Sequence, residues 1–381
     1  MRYSAEQLVR LARRENNSVR PYLFVNPCQG KHIPTSPEDA FGMCRETAAL
    51  LNRACPDDRL FVIGFAETAT GIAAAISAFL DNAVYYQNTT REHNGDEYLL
   101  FSEVHSHATD QMLRTAGTAD VLRRIDRIVL IDDEVTTGNT ICNLIRMIRT
   151  RFHADHLKFS ILSVLNSMPE ERLQELKAQG IDCLFLCRIP HEYRKESIMD
   201  VAFDPDLHRI AKGSSMKAVS DIVFTNPLNP RNPVRFSDYR KAAEAFAEAL
   251  RIRLADGNPR PGRVLVIGTE EFMYPTFVAG EMIRRQRYAD EVRIHSTTRS
   301  PIIASGKDGY PLFCRYQIRS PYDAERTTYI YNLQKYDQVF ILTDAARSPE
   351  GICDLVSALE TAGNRNISVL RWRYAADRET V

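Results

Sequence analysis

The chain has 381 residues, 44% hydrophobic and 26% charged, with 49 basic side chains against 49 acidic ones and a formal net charge of zero. That length accommodates two full cores, and zero net charge gives no field for a polyanion, which argues against nucleic acid as a partner. No stretch has the apolar core of a signal peptide or approaches the ~20 apolar residues of a membrane span, so no membrane partner and a cytoplasmic location are expected.

Eight cysteines without CxxC or CxxH spacing fit reduced thiols better than disulfides or structural zinc. Residues 1–20 read as an amphipathic basic helix, with Leu8, Val9, Leu11 and Ala12 against Arg10, Arg13 and Arg14. Tyr22 to Val25 is a strand, followed by a polar turn that holds Lys31 and His32. Ser36-Pro37-Glu38-Asp39 supplies a cap, a first-turn proline and two acids, and Phe41, Cys44, Ala48 and Leu51 then keep helical spacing. Arg59 to Gly64 is the next strand. It ends in a small-residue turn, Ala66, Glu67, Thr68 and Thr70, before a helix with Ile72, Ile76, Phe79 and Leu80 on one face. A short strand, Val84 to Tyr86, leads to Thr89-Thr90-Arg91-Glu92. From His93 to Leu113 no period is sustained, and the stretch carries Glu103, His105 and His107. Such imidazoles can exchange protons near neutral pH or, beside a glutamate, bind a metal; a plain solvated loop fits equally.

The stretch Arg127 to Thr140 is the most informative. Ile128 to Ile131 is a continuous apolar run, as in a strand buried on both faces of a parallel sheet. Asp132, Asp133 and Glu134 stand at its end, where a buried strand would avoid acids that lack partners. Val135, Thr136, Thr137, Gly138, Asn139 and Thr140 then lead into Ile141, Leu144, Ile145 and Ile148, one apolar face of a helix. The free amides and positive dipole end of that helix suit a phosphate dianion, while the acids suit hydroxyls, a divalent cation or a developing positive charge. Ribose 5-phosphate carries both kinds of group. Strand Leu157–Leu165, helix Pro169–Gln179 closed by Gly180, and strand Cys183–Arg188 complete an alternation that predicts a parallel sheet with helices on both faces. Three prolines in Asn226 to Val234 mark a stiff linker, 226–235, between domains at 1–225 and 236–381.

The C-terminal part repeats landmarks of the first. Val266-Ile267-Gly268 answers Val62-Ile63-Gly64, Thr297-Thr298-Arg299 answers Thr89-Thr90-Arg91, and the strand ending in Asp344 answers the one ending in Asp132. A second acid is missing after Asp344, so this half is not expected to hold the same ligand. Thr269, Glu270, Glu271, Thr298, Arg299, Ser300 and Asp344 stay at the corresponding edge. They are candidates for another anionic or nucleotide-like ligand or the acceptor, or for an inter-domain face.

The run Ile128 to Thr140 resembles the phosphoribosyl-pyrophosphate (PRPP) motif of type I phosphoribosyltransferases, departing from it at Glu134 and Asn139. With Thr298-Arg299-Ser300-Pro301, the whole chain resembles bacterial two-domain proteins of tellurite-resistance and stress gene clusters. These join an orotate-type phosphoribosyltransferase to a domain named for that Thr-Arg-Ser-Pro motif. The resemblance implies an α/β fold of two tandem doubly wound, mostly parallel-sheet domains, the second divergent. It implies transfer of phosphoribosyl from PRPP to a nucleobase-like acceptor with release of pyrophosphate. In it, Asp132 and Asp133 hold the ribose hydroxyls and contact Mg²⁺ through water, and Glu134 to Thr140 anchor the 5-phosphate. Ala66, Glu67, Thr68 and Thr70 hold pyrophosphate, with Lys31 from an N-terminal hood. Arg91, Glu103, His105 and His107 stand where the family's mobile loop carries lysine or arginine, since no lysine occurs between Lys31 and Lys158. That gap keeps a non-catalytic PRPP or nucleotide sensor as the alternative, and a homodimer remains open.

Overall fold

The computed structural model describes residues 3–15, 20–93, 95–101, 111–189, 198, 200–213, 220–255, 260–346 and 348–374. In chain order come helix α1 (Ala5–Leu8), strands β1 (Arg10–Arg13) and β2 (Tyr22–Val25), and helix α2 (Pro37–Ala54). An alternating run follows: β3 (Leu60–Gly64), α3 (Thr70–Ser77), β4 (Ala83–Asn88), β5 (Tyr98–Phe101), β6 (Gln111–Arg114), α4 (Thr118–Leu122), β7 (Arg127–Val135), α5 (Asn139–Phe152), β8 (Lys158–Asn166), α6 (Glu170–Ala178) and β9 (Ile181–Arg188). The remainder holds β10 (His208–Ile210), β11 (Ser220–Thr225), β12 (Val234–Arg235), α7 (Phe236–Ala255), β13 (Arg263–Gly268), α8 (Tyr274–Arg285), β14 (Glu291–Ser296), β15 (Arg315–Arg319), β16 (Thr327–Tyr331), β17 (Gln338–Thr343), α9 (Pro349–Thr361) and β18 (Ile367–Arg373).

The chain folds into two compact units, both discontinuous in sequence. The first comprises Met1–Ala5, Phe41–Tyr193 and Leu228–Ala242; the second comprises Glu6–Ala40, Arg194–Pro227 and Ala243–Val381. The first unit's sheet has the order β12-β4-β3-β7-β8-β9, parallel throughout except for the antiparallel edge strand β12. Its centre is apolar because Val62, Ile63, Ile128 to Ile131, Ile161 and Leu162 are fully buried between the helical layers, each worth about 1.5–3 kcal/mol. At the lower edge Arg59 and Asp126 clasp β3 to β7, the Arg59 amide donating to Asp126 Oδ2 at 2.8 Å.

The second unit is built on a five-stranded parallel sheet, β11-β18-β17-β13-β14. A small sheet, β10-β15-β16, accompanies it. Leu265, Ile267, Val339, Ile341, Ile352, Leu355 and Val369 form its core.

Three sequence-based expectations change here. Residues 1–20 do not form one helix: after α1, Arg10–Arg13 pairs antiparallel with β2, Leu11 opposite Phe24. The N-terminal stretch expected as a hood of the first domain belongs, from Glu6 to Ala40, to the second unit. The proline-rich segment is no spacer. Val234 and Arg235 pair with Tyr86 and Tyr85 of β4, and the Pro230 carbonyl accepts the Asn88 amide at 2.6 Å. Proline, lacking a donor, is tolerated on such an edge. Among the described residues no helix is long and apolar enough to cross a membrane, and all eight cysteines are free thiols.

Candidate functional site

The site of the first unit lies at the carboxyl edge of β3 and β7, where ligands sit in open α/β sheets. Strand β7 runs four residues past its pairing with β3, still paired with β8, and carries Asp132, Asp133 and Glu134 out to a partly exposed edge. The Asp133 amide donates to Asp132 Oδ1 at 2.9 Å. Burial, and then the neighbouring Asp133 carboxylate, push the Asp132 carboxyl well above the ordinary range. Such a group favours any partner that brings hydroxyl donors or positive charge to it.

Helix α5 starts directly after this edge. Gly138 takes the left-handed conformation, φ 71°, and a Cβ there would meet the Met168 sulfur at 3.2 Å, so only glycine fits comfortably. Having no side chain, Gly138 cannot cap the helix, and the one local substitute is Thr137 Oγ1, which accepts the Asn139 amide at 3.3 Å. The other first-turn amides face the edge uncapped by any described side chain, an anion-binding geometry. Thr137 and Asn139 are exposed, and Thr136 and Thr140 partly so.

The turn between β3 and α3 completes the edge. The Phe65 amide donates to the Ile131 carbonyl at 3.0 Å and the Ala66 amide to Thr89 Oγ1 at 2.8 Å. The Ala66–Glu67 peptide is cis. Thr68 Oγ1 donates to Asp133 Oδ1 at 2.8 Å, tying this turn to the acid couple. Glu67 and Thr70 are buried, and Arg91 is partly exposed on the segment that leaves β4. Asp132, Asp133, Thr68, Ala66 and the α5 turn thus meet at one edge. Glu103, His105 and His107 lie outside the described residues.

Lys31 is elsewhere. It is fully buried in the second unit, its ammonium donating to the Glu270 carbonyl at 2.6 Å and to Ser296 Oγ at 3.4 Å, so its burial corrects the pyrophosphate role expected for it. His32 is likewise buried there, edge-on to Tyr331.

Two arginines escaped sequence reasoning. Arg172 of α6 lies over the α5 turn, its Nε donating to the Thr137 carbonyl at 3.3 Å and its Nη2 to Asn139 Oδ1 at 3.4 Å. Arg231, from the proline-rich segment, is buried with Nε donating to Thr90 Oγ1 at 3.3 Å, and its carbonyl accepts Gln87 Nε2 at 2.9 Å. Neither has a local sequence signal, because each reaches the edge through long-range packing.

In the second unit the predicted residues also share one edge, where they bond to each other and to neighbouring side chains of the same unit. Glu270 is fully buried and accepts Arg299 Nε at 2.6 Å and Arg326 Nη2 at 3.1 Å. Asp344 accepts Tyr374 Oη at 2.7 Å and the Tyr322 hydroxyl. Thr269 Oγ1 donates to Thr343 Oγ1 at 2.8 Å. Thr298 pairs with Tyr329, its amide donating at 2.8 Å. Glu271 is buried, and the Ser300 amide donates to Thr298 Oγ1 at 3.3 Å. Among the described residues no group of three or more His, Cys, Asp or Glu side chains forms a metal cage in either unit.

Residues 8–187 match the profile of a family described as phosphoribosyl transferase, and residues 233–359 match that of a TRSP domain found C-terminal to it. The chain therefore carries a phosphoribosyl transferase domain followed by a TRSP domain. No curated protein matches it. Among solved structures, adenine phosphoribosyltransferase from Rhodothermus marinus is 14% identical, with 48% of this chain and 96% of that one covered at a TM-score of 0.35. The enzyme of that name from Trypanosoma brucei, in complex with AMP, pyrophosphate and ribose-5-phosphate, is 14% identical, with 48% and 77% covered at 0.34. A hypoxanthine phosphoribosyltransferase from Staphylococcus aureus is 14% identical, with 42% and 82% covered at 0.25.

Proposed function

We propose that the first unit moves the 5-phosphoribosyl group of PRPP onto a nucleobase-like acceptor. The observation that carries this reading is the edge itself: an acid couple, tied through Thr68 to the β3–α3 turn, beside a helix start whose N-cap residue, Gly138, has no side chain to close it. The 5-phosphate lies on the α5 amides with Thr136 to Thr140, and its binding energy fixes the reacting carbon. Asp132 and Asp133 accept hydrogen bonds from the ribose hydroxyls. The bond from C1 to the pyrophosphate oxygen breaks while a bond from C1 to an acceptor nitrogen forms, and the couple stabilises the positive charge that builds on the ring. Pyrophosphate leaves along the Ala66–Thr70 turn, near Arg91.

The hard carboxylate oxygens of Asp132 and Asp133 would hold Mg²⁺ through water. When bound, it neutralises the leaving group. The eight free thiols support a reducing compartment such as the cytosol for this chemistry. We read the second unit as a divergent copy of the first.

The test is pyrophosphate release from PRPP across a panel of nucleobases, in wild type and in Asp132→Asn/Asp133→Asn. Release with one acceptor, lost in the double variant while its fold persists, supports transfer. The second reading, a sensor that binds PRPP without turnover, is favoured by the absence of lysine between Lys31 and Lys158. It would give calorimetric PRPP binding with no release for any base.

A further inference from the structure

The second unit repeats the strand order and several bonds of the first. The order β14-β13-β17-β18-β11 repeats β4-β3-β7-β8-β9, with β11 supplied from earlier in the chain. Thr297 donates its amide to the Gly268 carbonyl at 3.1 Å, as Thr89 does to Gly64 at 2.9 Å. Thr297 Oγ1 accepts the Glu270 amide at 3.0 Å, as Thr89 Oγ1 accepts that of Ala66 at 2.8 Å. Thr298 and Tyr329 exchange amide bonds as Thr90 and Met112 do. The Arg263–Asp337 clasp repeats Arg59–Asp126, each amide-to-carboxylate bond 2.8 Å. Gly268 pairs with Leu342 as Gly64 pairs with Ile131, so Thr343 stands at the place of Asp132 and Asp344 at that of Asp133. Glu270 then takes the place of Ala66, and Arg299 that of Arg91.

We infer that the second unit fills its own counterpart of the PRPP site, with the Glu270 carboxylate seated in an oxyanion pocket made by Arg299, Arg326 and Ser320. Here the chain itself covers the edge. Glu270 accepts both guanidiniums and the Ser320 hydroxyl, as a pyrophosphate oxygen would. The tip of the β15–β16 hairpin lies on the start of α9, the Pro321 carbonyl accepting the Ser348 amide at 3.2 Å. Contact there is so close that a Cβ on Gly351 would come within 2.5 Å of the Ser320 and Pro321 backbone. Ser348 Oγ caps the helix by accepting the Gly351 amide at 3.2 Å, closing the phosphate cradle. Two phenols, Tyr322 and Tyr374, donate to Asp344 where the diol would. Arg299 of the Thr-Arg-Ser-Pro motif thus holds an internal anion, and an inorganic oxyanion of the phosphate class is what the pocket takes once the Glu270 carboxylate is removed.

This rests on reading the second unit as a copy, not on the chemistry of the first. The probe is inorganic pyrophosphate, with binding stoichiometry by calorimetry on the full chain for wild type and Glu270→Ala. The alanine removes the carboxylate to which Arg299, Arg326 and Ser320 donate and vacates its volume. The expected result is one additional site per chain in Glu270→Ala, and a larger rise in its thermal midpoint with pyrophosphate than in wild type. If the variant folds only with pyrophosphate present, that rescue also supports the inference. Unchanged stoichiometry in a folded variant, absence of rescue in an unfolded one, or a second site already present in wild type would overturn it. A companion cycle uses Arg299→Met, which should lower the midpoint, while adding Glu270→Gln should recover part of the loss. If the double variant melts no higher than Arg299→Met alone, the carboxylate does not depend on that arginine and the pocket is misassigned. Residues 41–193 are untouched throughout, so loss of PRPP chemistry in the first unit leaves the outcome readable.

Discussion

Replacing Asp132 with asparagine is predicted to strengthen the fold while weakening the function. Burial and the adjacent Asp133 raise the Asp132 carboxyl, so the folded chain keeps this proton at pH values where the unfolded chain, with a pKa near 3.9, has lost it. Stability therefore falls as pH rises through that window, and the full penalty is present above it. Asparagine retains an acceptor for the Asp133 amide, now at 2.9 Å from Asp132 Oδ1, and removes the charge. One like-charge contact across roughly 6 Å at an effective dielectric of about 20 is worth roughly 3 kcal/mol. Partial exposure discounts it to about 1–2 kcal/mol. For a domain of this size that raises the thermal midpoint by about 2–8 °C above pH 7, and the gain should vanish near pH 3. Turnover should fall by about 10²–10³, the usual cost of losing one preorganised electrostatic contact. Circular dichroism melts from pH 3 to 8 with a pyrophosphate-release assay measure both. A midpoint below wild type at pH 7.5, or unchanged turnover, would refute the reasoning.

Gly138→Ala should raise the Kd for PRPP about tenfold and cost about 1 kcal/mol of stability, from the left-handed φ and the Met168 contact; calorimetry and denaturant melts read the two separately. Arg172→Ala should raise KM for PRPP several-fold with kcat little changed, because the side chain steadies Thr137 and Asn139 and does not touch the reacting carbon. Arg127→Met should destabilise the first unit by about 1–3 kcal/mol, since it takes from Asp58 and Asp182 the buried guanidinium that holds them at 2.8 and 2.7 Å, while Lys158 stays on Asp58 at 2.7 Å and Asp182 remains half exposed; urea unfolding measures it.

The stretch from β7 to α5 was legible because its signal is local: an apolar run, acids, a glycine and a helical face all lie within one strand–turn–helix unit. The N-terminal stretch misled for the opposite reason. Leu8, Leu11 and Ala12 have helical spacing, yet Arg10–Arg13 is held by β2 and, further on, by the Glu15 amide donating to the Pro301 carbonyl at 2.9 Å. The burial of Lys31 leaves no local mark in the sequence because the carbonyl that receives it is that of Glu270, far along the chain. With the second unit read as a copy, strand register sets Asp344 against Asp133 and not Asp132, and a residue count along the sequence cannot see that register. Likewise nothing in Ser320 or Tyr322 announces that a hairpin tip returns to the sheet edge.

A crystal of the chain soaked with ribose 5-phosphate tests the central claim most directly. The account predicts the phosphate on the amides at the start of α5 and the two ring hydroxyls within hydrogen-bonding distance of Asp132 and Asp133. A sugar phosphate bound away from that edge, or a phosphate at α5 with its hydroxyls turned from both carboxylates, would contradict it.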